Sequence, residues 1–461
     1  MKPARAICLH IEALEDRLMP STLASGITAP ITTVIYQPDW FQTNLSDPGL
    51  QSLARADYSR DYMITRNDML GLFAQTESDG VVSSAEFHDL GTLVAAGRSD
   101  ILSMPDWVQN LAAKVVNGDP DNAHYQYVQP PLQNYFVAGS TSIAPGTFHS
   151  IPLGNLVAGS PAGQLQDLVN KWFLGMDVPS AYRYVNGTYT LRNWGYDSSA
   201  PLFHNGMSFA DIRQGATADG QFLASVAALV NQSPVVLASN IIDNGDGTFT
   251  VRFFNTQGTT SDVTVNRWLP EDASGKFVYA NKGQSLGDAS VNLWVPLYEK
   301  AFIEANASGK WGMGFAGNGY GMTIGVGTTP ANLVAHLTGS GFVDSTFGND
   351  SPLGNQAGFS QFVDNRLTNQ VIVSLNAKNL GTFGSVVTID GFTIVSGQTY
   401  ALLDHDPVSG LFTVFNPWGL GNGRACDVLH LTWQQMTDIF ASFDTGLYPW
   451  YPPWLSVSAV A

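Results

Sequence analysis

Cysteine is almost absent, with two in 461 residues, Cys8 and Cys426. So few thiols, one of them in the first ten residues, exclude a disulfide framework and any zinc site built on cysteine. Basic charge is scarce too. Lys and Arg number 21 against 38 Asp and Glu, a formal net charge of −17. Without a basic stripe such a chain makes a poor phosphate-backbone binder, and no nucleic-acid partner is expected. Charged residues are only 13% of the chain, about half the usual share. No uncharged apolar run reaches the roughly 18–20 residues that span a bilayer, so no transmembrane segment is expected.

What remains is a core-forming, turn-rich chain. Hydrophobic residues make up 44%, with 46 Gly and 24 Pro, and the length suits about two to four domains. Residues 1–26 begin with Lys2 and Arg5, but Ile7 to Leu18 is broken by His10, Glu12, Glu15, Asp16 and Arg17. That is not the apolar centre of a secretory signal. Ile7, Ile11, Leu14 and Leu18 suit one face of a short amphipathic helix. The run Leu14-Glu15-Asp16-Arg17-Leu18-Met19-Pro20-Ser21 also resembles leaders of planctomycete extracellular proteins, which implies an extracellular or cell-surface location. Residues 27–50, rich in Thr, Pro and Ser, read as a linker.

From 51 to about 175 the pattern is mostly helical, with apolar residues three and four apart at Met69, Leu70, Leu72, Phe73 and at Leu90, Leu93, Val94. Gln75 to Glu86 matches a twelve-residue calcium loop. Gly80 stands at the sharp turn, Val82 is apolar, Glu77 and Asp79 stand at ligand positions, and Glu86 closes the loop, an oxygen set suited to a hard cation. Gln75 replaces the usual first Asp. A looser copy offers Asp57, Ser59, Asp61 and Asp68, but lacks the glycine and has Arg60 among its ligands. Calcium is therefore the candidate cofactor of an EF-hand-like segment, and metal-free hydrogen-bonded loops are the alternative. The Asn-Gly-Asp-Gly run ending at Gly247 also looks calcium-like. Lying between the apolar runs Val235–Ile242 and Phe249–Phe254, it reads as a hairpin turn. Residues 176–205 read as a connector.

Gln214-Gly215 leads through Asp219-Gly220 into an apolar helix of Phe222, Leu223, Val226, Leu229 and Val230, which predicts a buried central helix. A loop feeding such a helix is where papain-like proteases set their nucleophile, because the helix dipole favours a thiolate. Gln214, Gly215, Asp219, Phe222, Leu223 and Ala224 match the Gln-Gly-x-x-Gly-Asp-Cys-Trp-Phe-Leu-Ala motif of the calpain family. Leu269-Pro270, Leu293-Trp294 to Ala301, Gly317 to Gly321, Leu337-Thr338-Gly339, Gly397 to Leu402, Asn416-Pro417-Trp418-Gly419 and Leu431 to Trp433 follow in the family's order. The region 206–445 thus resembles a calpain-type cysteine endopeptidase, a calcium-dependent hydrolase family. The implied fold is α+β, a papain-like two-lobed core with a central helix and an antiparallel β-rich lobe, placed at 206–450. Lobe one would be about 206–330 and lobe two about 331–450, preceded by the helical domain of 51–175.

The departures fall on the chemistry. Gly220 stands at the family's catalytic Cys and Gln398 at its catalytic His, while Asn416 and the oxyanion-donor position Gln214 are retained. Covalent acyl transfer needs a nucleophile and an adjacent base. Losing one member of such a coupled set can cost on the order of 10⁶ in rate. The expectation is a catalytically inactive homologue, a pseudoprotease, whose cleft (with Asp219 and Trp418 along it) binds an extended peptide or protein ligand. The alternatives are an active hydrolase with a relocated nucleophile or a purely structural surface protein. For relocation, Cys426 reads as a small core residue, His405 as a solvated turn histidine, and Ser225 lies about 140° around the helix from position 220. His204 lies just before the core. Asp219 reads as a loop or helix-capping carboxylate.

Overall fold

Helix starts in the N-terminal region are fixed by caps. In a computed structural model, the described residues are 39–129, 147–185, 188–255, 258–307, 309, 319–320, 330–340, 342–348, 352–365, 371–421 and 428–447. The leader reading at 1–26 and Cys426 lie outside them. Six helices open the described chain: α1 (Trp40–Asn44), α2 (Pro48–Asp61), α3 (Arg66–Thr76), α4 (Ser84–Arg98), α5 (Asp106–Val116) and, after a hairpin, α6 (Ala162–Trp172). The hairpin is β1 (His124–Gln129) with β2 (Thr147–Pro152). Thr65 with Asp68 and Ser83 with Glu86 form reciprocal capping boxes at the starts of α3 and α4, satisfying backbone donors that a helix leaves open.

Two expectations change here. The part of the linker stretch from Trp40 onward is helical, because Phe41, Leu45 and Leu50 are buried and Asp89 accepts from the Ser46 and Asp47 N–H groups at 2.8 and 2.6 Å. The looser calcium copy is not a loop. Asp57, Ser59 and Asp61 lie within α2, and the Arg60 guanidinium bridges Asp57 at 2.8 Å and Asp68 at 2.6 Å. The cation among the proposed ligands is thus itself their partner.

The next segment is β3 (Tyr182–Val185), β4 (Thr188–Leu191) and β5 (Asn193–Tyr196), then α7 (Gly220–Gln232) and α8 (Pro234–Ser239). Next come β6 (Ile241–Asp243), β7 (Thr248–Phe254), β8 (Thr260–Asn266), β9 (Trp268–Glu271) and α9 (Trp294–Ala305). The expected connector is stitched in: β5 pairs antiparallel with β9. Within the apolar run 235–242 only Ile241 and Ile242 are strand; Pro234 at the first turn starts α8 instead. The Asn-Gly-Asp-Gly run does join antiparallel β6 and β7, with Gly245 and Gly247 at positive φ, and its Asp246 pairs with Arg66 of α3 at 2.8 Å.

The C-terminal part contains α10 (Pro330–Thr338), β10 (Phe342–Thr346), α11 (Gln356–Asp364), β11 (Val371–Ala377), β12 (Val386–Ile389) and β13 (Phe392–Val395). It closes with β14 (Thr399–Asp406), β15 (Leu411–Phe415), β16 (Val428–Leu431), α12 (Trp433–Ile439) and β17 (Phe440–Leu447). A six-stranded sheet runs β10-β17-β11-β14-β15-β16, every neighbouring pair antiparallel. Its outer face packs α11 and α12 through Phe359, Phe412, Met436 and Phe443. Against its other side lies α7, which touches β11 and β14 and buries Phe222 through Val230 without a break. Phe222 stacks on Phe302 of α9 at 4.3 Å. The central helix is thus held between a sheet and a second buried helix, with only Gln221 at its start and Asn231 and Gln232 at its end part exposed.

Candidate active site

The loop that enters α7 is pinned on both flanks. The Gln214 N–H donates to the Pro417 carbonyl at 2.8 Å, and Ala216 N–H donates to the Val278 carbonyl at 3.0 Å. Gly215 permits this approach, since a Cβ there would fall 2.1 Å from the Tyr279 carbonyl oxygen. Asn416-Pro417-Trp418-Gly419 follows β15, and Gln398 precedes β14, so sheet and helix present these residues to one place. A groove of about 630 Å³ runs between them. It is lined by Arg213 to Ala218, Lys282, Gly283, Phe383, Gly384, Gln398 and Trp418.

Gln398, which lines the groove, meets Gly220, which is buried and is not among the described lining residues. A Cβ on Gly220 would lie 2.1 Å from Gln398 Nε2, and 2.7 and 2.8 Å from its Cδ and Oε1. The amide of Gln398 thus fills the space that a side chain at 220 would need. Its Nε2 donates to Gln214 Oε1 at 2.9 Å, and Gln214 Nε2 donates to the Thr217 carbonyl at 3.0 Å. The Gln214 amide is therefore engaged at both ends. Asn416 is also committed elsewhere: its Oδ1 accepts from Trp418 N–H at 3.0 Å and its Nδ2 reaches Tyr400 Oη at 3.4 Å.

Asp219 precedes the helix but makes no side-chain cap, contrary to expectation. It is fully buried beside Glu299 of α9, whose Oε2 accepts from Ala280 N–H at 3.0 Å. With both carboxyls ionised, the Asp219 oxygens and Glu299 Oε1 find no donor. A proton kept on Glu299 supplies one. Burial, and then the neighbouring Asp219 charge, accordingly hold Glu299 well above the carboxylate range. Burial likewise pushes Asp219 up to about 6, with the neighbouring Glu299 carboxyl, as proton donor, pulling it partly back.

The relocation candidates lie elsewhere. His405 is not a turn residue; it is a buried part of β14, stacked on Phe412 at 4.3 Å with Nδ1 2.7 Å from Asp364 Oδ1. Seven residues of strand at about 3.3 Å each put it roughly 23 Å along from Gln398. Ser225 is buried and its Oγ meets Ser374 Oγ at 3.2 Å, facing the sheet. His204 is exposed and does not line the groove.

The calcium-loop residues occupy a helix–loop–helix between α3 and α4. Gly80 has φ +89° as a sharp turn requires, but the donors diverge. Gln75 sits in the last turn of α3, Asp79 Oδ1 accepts from Val81 N–H at 3.2 Å, and Glu86 Oε2 accepts from Ser83 N–H at 2.8 Å. Partial burial raises Glu77 above its ordinary range. Among the described residues no three His, Cys, Asp or Glu side chains gather closely enough for a metal ion. As arranged here, this loop's donor set does not fit calcium.

Lys282 and Phe383 belong to no motif that the sequence displays, whereas Glu299 stands in the Leu293 to Ala301 run with no site role read from it. A carboxylate inside Trp294–Ala305, a helix buried on all sides, is the signal that marks Glu299. Phe383 sits on a loop, where no periodicity marks it.

The model of the calpain family cysteine proteases matches residues 190–438, more than half of the chain. The chain is also similar to the calpain-type cysteine protease DEK1 of Zea mays, at 27% identity over 232 residues. That match takes in 47% of this chain but 9% of the maize protein, so the chain spans about a tenth of the relative's length.

Proposed function

Since the chain belongs to the calpain family of cysteine proteases, we propose that it is a member that binds peptide without cutting it. Its groove lies between the two lobes of a papain-like core, and its helical N-terminal domain is a metal-free relative of EF-hand segments. The observation that carries this reading is the contact between positions 220 and 398, where the Gln398 amide takes the space of a nucleophile's side chain. Glycine has no atom to attack a carbonyl, and a glutamine amide takes up no proton near neutral pH. The side chains that should orient a base and bind an oxyanion are hydrogen-bonded to other partners. Export to the cell surface, implied by the leader resemblance, completes the proposal.

The test is incubation of purified protein with an unfolded protein substrate, with calcium and with chelator, alongside labelling by a thiol-directed epoxide. No cleavage above a mock purification is expected in either condition. Cleavage that co-purifies with the chain through two unrelated columns would overturn the reading.

A further inference from the structure

The groove's charge runs against that of the chain. Among the described residues that line it none is Asp or Glu, while two are Arg213 and Lys282, in a chain of net charge −17. Neither of these side chains is held by an ion pair or hydrogen bond among the described residues. Arg66, Arg252 and Lys171, by contrast, are each paired with a carboxylate. Phe383 lines the same groove, 66% exposed although large and apolar. The Asp219–Glu299 pair behind the loop does not line the groove, and with a proton on Glu299 it carries one charge against two cations.

Two cations without a partner among the described residues, an exposed aromatic and no carboxylate in the described lining select a ligand by charge and by one apolar contact. We propose that the groove takes an extended acidic peptide segment, with Asp or Glu side chains meeting Arg213 and Lys282 and an apolar side chain meeting Phe383. This rests on the peptide-binding reading above and adds the class of peptide. The buried polar centre at Gln214 and Gln398 leaves the charge preference to the rim, where attraction is screened by salt.

The experiment uses the full chain and three fluorescein-labelled peptides of one sequence. Each has a central Leu-Phe flanked by Glu, by Gln or by Lys, and binding is read by fluorescence anisotropy. The Glu peptide is expected to bind about tenfold more tightly than the Gln peptide at low salt, each exposed pair contributing a few-fold. The Lys peptide should be weakest, and the preference should shrink several-fold between about 50 and 300 mM salt. Arg213→Gln with Lys282→Gln should equalise the Glu and Gln peptides, and Phe383→Ala should weaken all three alike. Equal binding of all three peptides, independent of salt, overturns the acidic preference while the peptide-binding reading stands. No binding by any of them overturns both. If the double variant proves misfolded by circular dichroism, the salt titration of the native chain decides alone.

Discussion

The groove and the Gln75–Glu86 loop have been emptied of their expected chemistry in different ways. Both keep their frame: the loop has its turn glycine at positive φ and its flanking helices, and the groove has its buried helix and its pinned Gln214 loop. The loop still owns its carboxylates, but two of them are spent on backbone N–H groups. Such bonds contribute about 1 kcal/mol each, so a strongly bound cation could draw the carboxylates back. Gly220, by contrast, carries no side-chain atoms at all, and no ligand supplies what a glycine lacks. Diverted groups can be tested by competition, whereas missing ones can be tested only by substitution.

The largest effect should come from the packing around α7. Phe222→Ala removes the ring stacked on Phe302 and should cost about 3–5 kcal/mol, read as a lower thermal midpoint and urea midpoint. A small loss would mean that α7 is not what holds the groove open. Next is the carboxyl pair beneath it. Both acids have folded pKa values raised above their unfolded ones. Their contribution is therefore fully present below about pH 4 and is lost as pH rises through 6 and beyond. Glu299→Gln keeps an acceptor for Ala280 and gives Asp219 a permanent donor. It should flatten that decline and raise stability at pH 7 by roughly 2–3 kcal/mol. An unchanged pH profile would show that the pair does not share a proton.

Smaller still is the coupling across the groove. Gly220→Cys drives its Cβ into the Gln398 amide, but a flexible glutamine end can swing aside, so the loss is chiefly its hydrogen bond to Gln214. About 1–2 kcal/mol is expected, recovered when Gln398→His or Gln398→Ala is added. A double-mutant cycle with no coupling would mean that the two replacements are independent. Epoxide labelling at position 220 in the Gly220→Cys, Gln398→His protein, absent from the parent, would show that the cleft geometry accepts a thiol.

These contrasts also mark what a sequence can and cannot disclose. The helix at Phe222 and the motif at Asn416 were legible, because a glycine-bearing loop running into an apolar helix specifies its own local structure. The apposition of Gln398 on Gly220 was not, since it depends on where β14 lies against α7, 178 residues away in the sequence. The same reason hid Glu299 behind Asp219. His405 was misread because Asp404-His405-Asp406-Pro407 has turn composition, yet stacking on Phe412 and pairing with Asp364 hold it in the strand. Asp57 and Asp68 were misread as ligands because a sequence pattern does not show that Arg60 folds back between them.

The smallest effect separates the two histories of the loop. A capping box accepts Glu or Gln at its third helical position, because either side-chain oxygen can receive the N-cap N–H. Glu86→Gln should therefore change stability by only about a few tenths of a kcal/mol, whereas Glu86→Ala, which removes the acceptor for Ser83 N–H, should cost about 1 kcal/mol. Calcium binding makes the opposite demand, because it needs the carboxylate charge and both oxygens at the closing position. Thermal midpoints of the parent and both variants, each with calcium and with chelator, distinguish the cases. If the loop is purely structural, calcium shifts none of the three and the order is parent, then Gln close behind, then Ala. A calcium-dependent rise in the parent that both variants lose would show that the ion pulls Glu86 away from its cap, and the loop would then be a site held in reserve.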